Sequence, residues 1–166
     1  MENELNIIPR LFTIDNIINL LQRDGLLLKS NFPHHNRWDE QQKLRFIESL
    51  MLGVPIPAFY LLQNERGQFT VIDGLQRFHT IEEFLNNEFS LKTSVYLDKS
   101  FNDLYAKDIS AYYLRKILTT TLNINIVENI SSYSEYELFL RINNRRRPRK
   151  DYQNSVLKSN NLKLSI

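Results

Sequence analysis

The chain has 166 residues, 42% hydrophobic and 24% charged, enough for one domain with a hydrophobic core and too apolar for wholesale disorder. It contains no cysteine, which excludes a disulfide framework, a thiolate zinc site and a cysteine nucleophile, and agrees with a reducing compartment. The formal net charge is only +2, but residues 141–150, RINNRRRPRK, hold six basic and no acidic side chains, leaving 15 basic against 19 acidic residues elsewhere. A local anionic partner therefore fits better than a generally basic surface.

The first residues, MENELNIIPR, lack the basic and then apolar pattern of a signal peptide. No apolar run approaches the roughly 18 residues that a membrane helix needs. The expected location is the cytoplasm, with no membrane partner.

In chain order, Thr13 is placed to cap a first helix whose apolar face is Ile14, Ile17, Ile18 and Leu21. Asp24-Gly25 ends it, and residues 26–28 are a short strand. Residues 30–37 are a loop. Asp39 then caps a second helix carrying Leu44, Ile47, Leu50 and Met51, stopped by Gly53 and Pro55. Residues 58–62 and 69–72 are strands joined by the turn Asn64-Glu65-Arg66-Gly67. A helix over 75–85 ends at Asn86-Asn87, and short strands are expected within 88–97. Residues 109–118 are helical, and 122–127 alternate apolar side chains with Asn like a half-buried strand. Ser132 with Glu135 is a capping box for a helix over 136–142, and the last sixteen residues carry a faint amphipathic pattern. The expectation is one mixed α/β domain, 1–150, with a short helical or disordered extension, 151–166.

The junction that carries chemistry is Asp73-Gly74-Leu75-Gln76-Arg77. A strand runs into a helix through one glycine. The first helical turn presents unpaired N–H groups and the positive end of the helix dipole, which together attract phosphate. Gly74 permits close backbone approach, and Arg77 offers a planar donor fork for phosphate oxygens. Asp73 is suited to a ribose hydroxyl or Mg²⁺, and Gln76 to a phosphate oxygen or an attacking water. A purely structural reading stands beside this one with equal weight: Asp73 as N-cap, Gln76 completing a capping box, and Arg77 solvated.

Three blocks resemble the N-terminal domain family of GmrS-type restriction endonucleases. They are Arg37-Trp38-Asp39-Glu40-Gln41 continuing through Glu48-Ser49-Leu50-Met51-Leu52-Gly53-Val54-Pro55-Ile56-Pro57-Ala58-Phe59-Tyr60, then Val71-Ile72-Asp73-Gly74-Leu75-Gln76-Arg77-Phe78-His79-Thr80, and Leu138-Phe139-Leu140-Arg141-Ile142-Asn143. The resemblance implies a ParB/sulfiredoxin-like fold, a small mixed sheet flanked by helices. It implies a DGQQR-type motif, here in DGLQR form, serving nucleoside-triphosphate binding and hydrolysis in restriction of modified foreign DNA. Asp73, Gly74, Gln76 and Arg77 would then be nucleotide-site residues, with Asp73, Gln76 and Arg77 as the catalytic set. Mg²⁺ would accompany the triphosphate, on Asp73 or Glu48. Glu48, Ser49, Arg141 and Asn143 are weaker candidates for lining the same cleft.

The chain departs from the family pattern in two segments. Phe32-Pro33-His34-His35-Asn36-Arg37 stands where the family has a glutamine and arginine before the tryptophan, and Asn144-Arg145-Arg146-Arg147-Pro148 replaces a glycine-rich segment. The three histidines, His34, His35 and His79, lack the spacing of a His-Asn-His nuclease, so cleavage is not expected from this chain alone; a minimal family member, one subunit of a split system with a separate nuclease, and a truncated product all stay open. Arg145, Arg146, Arg147, Arg149 and Lys150 are candidates for DNA phosphate contact, and the place of the run just after the third block leaves open that Arg145 or Arg146 reaches the nucleotide instead. A different class of function stays open, a non-catalytic module that binds DNA or a partner through this run and keeps the turn as scaffold or nucleotide sensor.

Overall fold

The computed structural model of the chain describes residues 6–28, 37–92, 96–128 and 132–142. The chain divides into two compact units, Met1–Ser131 and Ser132–Ile166.

In the first unit the elements run β1 (Asn6–Thr13), α1 (Ile14–Gln22), β2 (Leu26–Leu27), α2 (Glu40–Leu52), β3 (Phe59–Gln63), β4 (Phe69–Asp73), α3 (Leu75–Leu85), a 3-10 turn (Lys99–Phe101), α4 (Ala111–Leu118) and β5 (Thr121–Glu128). The strands form one five-stranded mixed sheet in the order β1-β5-β3-β4-β2, flanked by helices. β1 pairs antiparallel with β5 and β3 with β4, while β3 runs parallel to β5 and β2 parallel to β4. The expected α/β class is therefore what the chain adopts. α5 (Ser132–Ile142) is the described part of the second unit.

Local chemistry sets the helix ends. Thr13 accepts from the Asn16 backbone N–H at 3.1 Å while the Asn16 side chain accepts from the Thr13 N–H at 3.1 Å, a reciprocal capping box. Asp39 and Gln42 repeat it at the start of α2, at 2.8 and 3.0 Å. Gly53 closes α2 in the left-handed region at φ 78°, so its N–H and that of Val54 reach back to the Leu50 and Ser49 carbonyls. The core joins Phe59 and Leu61 of β3, Val71 of β4 and Ile124 of β5 to Ile17 of α1, Ile47 and Leu50 of α2, and Phe78, Ile81 and Phe84 of α3.

Four features differ from the sequence expectation. β1 has no counterpart there. It is an edge strand with Ile7 and Leu11 exposed, so no clean apolar alternation marks it, and Pro9 is tolerated because it sits at the sheet edge. Among the described residues of 88–97 there is no strand. Leu91 instead donates to Leu104 O and accepts from Asp103 N–H, at 2.8 and 3.0 Å, one residue exchanging two bonds with a loop rather than a ladder. α4 begins at Ala111, two residues later than read. α5 begins at Ser132 itself, so Ser132 is helical rather than a cap before residue 136. The expected boundary at 150 and the C-terminal extension lie outside the described residues.

Because Thr13 ends β1 and caps α1 at once, Thr13→Ala is expected to cost about 1 kcal/mol. Urea unfolding should show a lower midpoint with an unchanged slope.

Candidate functional site

β4 delivers Asp73 to the sheet end and α3 starts two residues later. Gly74 stands between them as the N-cap residue, at φ 102°, and no side chain caps the first turn. The structural alternative of an Asp73–Gln76 capping box is thereby corrected. The helix starts one residue too late for Asp73 to be its cap, and both side chains are engaged elsewhere.

Gly74 is required by packing as well as by φ. A Cβ there would lie 2.2 Å from Cδ1 of Phe59, a side chain with no solvent exposure. The Phe59 ring stacks on Phe78 at 4.4 Å between centroids, and its face receives the Arg77 guanidinium at 4.0 Å. The close approach that glycine permits is thus filled by an aromatic ring of the protein itself.

Arg77 is turned inward. One terminal nitrogen donates to the carbonyl of Pro57, and the other donates to Ala58 O at 3.1 Å and to Asp73 Oδ2 at 2.8 Å. Its side chain is 11% exposed, against 31% for Asp73. Burial lowers the guanidinium pKa from its ordinary value, while the charge of Asp73 and its hydrogen bond oppose that shift. Of the five donors of an arginine, the Nε–H and one Nη1–H are not used among the described residues.

Gln76 ties in another segment. Its Oε1 accepts from the backbone N–H of Trp38 at 3.2 Å, and its carbonyl accepts from the Thr80 hydroxyl at 2.8 Å. Trp38 in turn packs edge-on against Phe46 at 5.4 Å. The turn therefore gathers Asp73, Gly74, Gln76 and Arg77 with three partners that sequence reading did not single out: the Pro57–Ala58 carbonyls, the Phe59 ring and the Trp38 N–H. A ring or a carbonyl bound by an arginine leaves no mark in a single sequence.

Other expected residues fall elsewhere. Glu48 is 1% exposed and accepts from Tyr96 N–H at 3.4 Å. It lines a cleft of about 480 Å³ with Lys43, Arg45, Glu83, Phe89 and Lys92, a lining that contains none of the four turn residues. Ser49 Oγ donates to Arg45 O in its own helix at 2.8 Å. His79 is half-buried and faces Glu82, with 3.9 Å between Nδ1 and the carboxylate. Arg141 lies exposed on α5. Asn143, Arg145, Arg146, Arg147, Arg149, Lys150, His34 and His35 lie outside the described residues. Among the described residues no group of three His, Cys, Asp or Glu could hold a metal ion, and no helix is long and apolar enough to cross a membrane.

Fold and site define a mixed α/β domain organised about a strand–glycine–helix turn. The family model for the GmrSD restriction endonuclease N-terminal domain matches residues 34–160, well over half of the chain, and the chain belongs to that family. No curated protein and no solved structure matches it.

Gly74→Ala is expected to destabilise the domain by roughly 2–4 kcal/mol, the combined cost of a left-handed non-glycine residue and of overpacking against Phe59. Denaturant unfolding measures it; a loss below about 1 kcal/mol would mean that the ring moves aside with little strain.

Proposed function

We propose that this domain binds a nucleoside triphosphate at the turn between β4 and α3 and hydrolyses it, serving a cytoplasmic DNA-restriction system. The observation that carries the proposal is the open first turn of α3. In a chain of the GmrSD family, the helix that follows Asp73-Gly74 begins without a side-chain cap. Its leading N–H groups and the positive end of its dipole remain for an anion.

The side chains around the turn suit a polyphosphate. Asp73 gives one carboxylate oxygen to Arg77, and no hydrogen bond reaches Oδ1 among the described residues. One carboxylate oxygen is a donor set for Mg²⁺ carried in on a triphosphate, which supplies most of its own ligands, and not for a metal cage built by protein alone. When bound, Mg²⁺ neutralises developing phosphate charge. Gln76 uses Oε1 on Trp38, and its amide NH₂, which donates to no described residue, is the group to orient a water or a phosphate oxygen. Asp73 is the nearby base on the same turn.

A second reading rests on the charge distribution. The run Arg145, Arg146, Arg147, Arg149, Lys150 carries the positive excess of the whole chain, so DNA contact there is a proposal that does not depend on turnover. Charge reversal at Arg145, Arg146 and Arg147 separates the two. The module reading expects DNA binding to be lost with nucleotide affinity intact.

The direct test is calorimetric titration of the full chain with each of the four ribonucleoside triphosphates and Mg²⁺, alongside phosphate release with and without DNA. Saturable binding of at least one triphosphate is expected, and hydrolysis with it. Flat titrations with all four would overturn the proposal. Binding without release would leave a nucleotide sensor rather than an enzyme.

A further inference from the structure

Arg77 is the arginine to which the motif draws attention, yet it is mostly spent. Three of its N–H groups hold the Pro57 and Ala58 carbonyls and Asp73, and its face lies on the Phe59 ring. Turning it onto a ligand would strip two carbonyls and a carboxylate of their donor and remove the cation from the ring, in a site where unpaired polar groups are costly. A second arginine has the opposite character. Arg37 is exposed and makes no hydrogen bond or ion pair with any described residue. Its position is nevertheless fixed. Its carbonyl carbon is bonded to the Trp38 nitrogen, whose N–H donates to Gln76 Oε1 at 3.2 Å, and Trp38 is held by the edge of Phe46. Immediately after it, the Asp39 capping box fixes the start of α2. The backbone of residue 37 is therefore tethered, through Trp38, to the side chain of Gln76 in the first turn of α3.

Resting on the nucleotide site proposed above, we infer that the two arginines divide the work. Arg77 is a positioning residue that holds the turn against the entry to β3, and Arg37 is the cation that contacts the phosphates. In exchanging water for a phosphate Arg37 breaks no hydrogen bond or ion pair to any described residue. Its planar fork suits phosphate oxygens, and its tether means that one end is already in place. Gln76 thereby gains a specific part: its side-chain Oε1 moors the segment that carries Arg37.

The test titrates the full chain and its variants Arg37→Ala, Arg37→Lys and Arg77→Lys with ATP, GTP, CTP and UTP in the presence of Mg²⁺, at two salt concentrations, with thermal melting in parallel. Arg37→Ala is expected to weaken triphosphate binding by about tenfold, the loss of one charge-assisted hydrogen bond, and to make the remaining binding less salt-sensitive. Its melting temperature should match wild type. Arg37→Lys should restore part of the affinity, since the charge remains and the fork does not. Arg77→Lys should melt earlier, because an ammonium cannot bridge two carbonyls and a carboxylate while covering a ring. At a temperature where that variant is fully folded, its affinity should still be reduced, with wild-type salt dependence. Undiminished binding by Arg37→Ala, where wild type binds, overturns the assignment of Arg37 and spares the nucleotide reading. An Arg77→Lys protein that melts and binds like wild type overturns the positioning role. A wild-type chain that binds none of the four triphosphates brings down the reading and the inference together.

Discussion

The structure around the turn depends on one contact, the Phe59 ring seated where a side chain at position 74 would be. Phe59 is fully buried at the start of β3, and β3 is the central strand of five, between β5 and β4. Its ring leaves no room for a Cβ at the β4–α3 junction, so the junction must be glycine, and the glycine adopts a backbone angle that other residues avoid. Once that angle is set, α3 leaves β4 with Phe78 stacked on the ring and Arg77 covering its face. Arg77 meets the carbonyls that lead into β3, and Asp73, four residues earlier, meets the guanidinium. The turn is held from beneath by a ring and from the side by an arginine, while the N–H groups of the first helical turn are left without a side-chain cap.

Such an arrangement keeps the rigidity of the turn independent of any group at its helix terminus. A capping side chain would quiet the helix terminus locally, but it would also occupy the donors that an anion needs. Here stability comes from outside the cap position, through the stacked pair Phe59–Phe78 and the bonds of Arg77. The contrast within the same chain is informative. α1 and α2 both begin with reciprocal capping boxes, Thr13 with Asn16 and Asp39 with Gln42, and α3 does not. α4 also begins without a side-chain cap, at Ser110, so what sets α3 apart is the open end together with the Asp73-Gly74 turn that precedes it.

Much of the fold was legible because its signals are local. Thr13, Asp39 and Gly53 mark helix ends by side chains and a backbone angle that act within a few residues, and β3, β4 and β5 carry buried positions dense enough to stand out. What escaped was set by distant partners. β1 is a strand because β5 pairs with it over eight residues, not because its own side chains alternate. Leu91 satisfies its backbone on a loop more than ten residues away, so its apolar surroundings suggested a strand that does not form. The site shows the same limit. The position of the motif at a strand-to-helix turn followed from the sequence, but the tasks of its residues did not. Gly74 makes room for a phenylalanine fifteen residues earlier, and Gln76 binds a backbone N–H thirty-eight residues earlier. Neither dependence is written at the positions that carry it.

The charge distribution bears on how a polyanion would be held. Outside residues 141–150 the chain is net acidic, 15 basic against 19 acidic side chains, so those residues set up no broad positive field of their own. Much of the cationic charge near α2 and α3 is also already matched, with Lys43 on Glu83 and Arg77 on Asp73. What those residues offer an anion is short-range: oriented backbone N–H groups, the helix dipole and individual cations. These act over the first turn of a helix and weaken quickly beyond it. Binding by such means rewards a ligand with concentrated charge at one end over an extended anion that needs a long basic surface, which is the difference between a triphosphate and a nucleic-acid backbone.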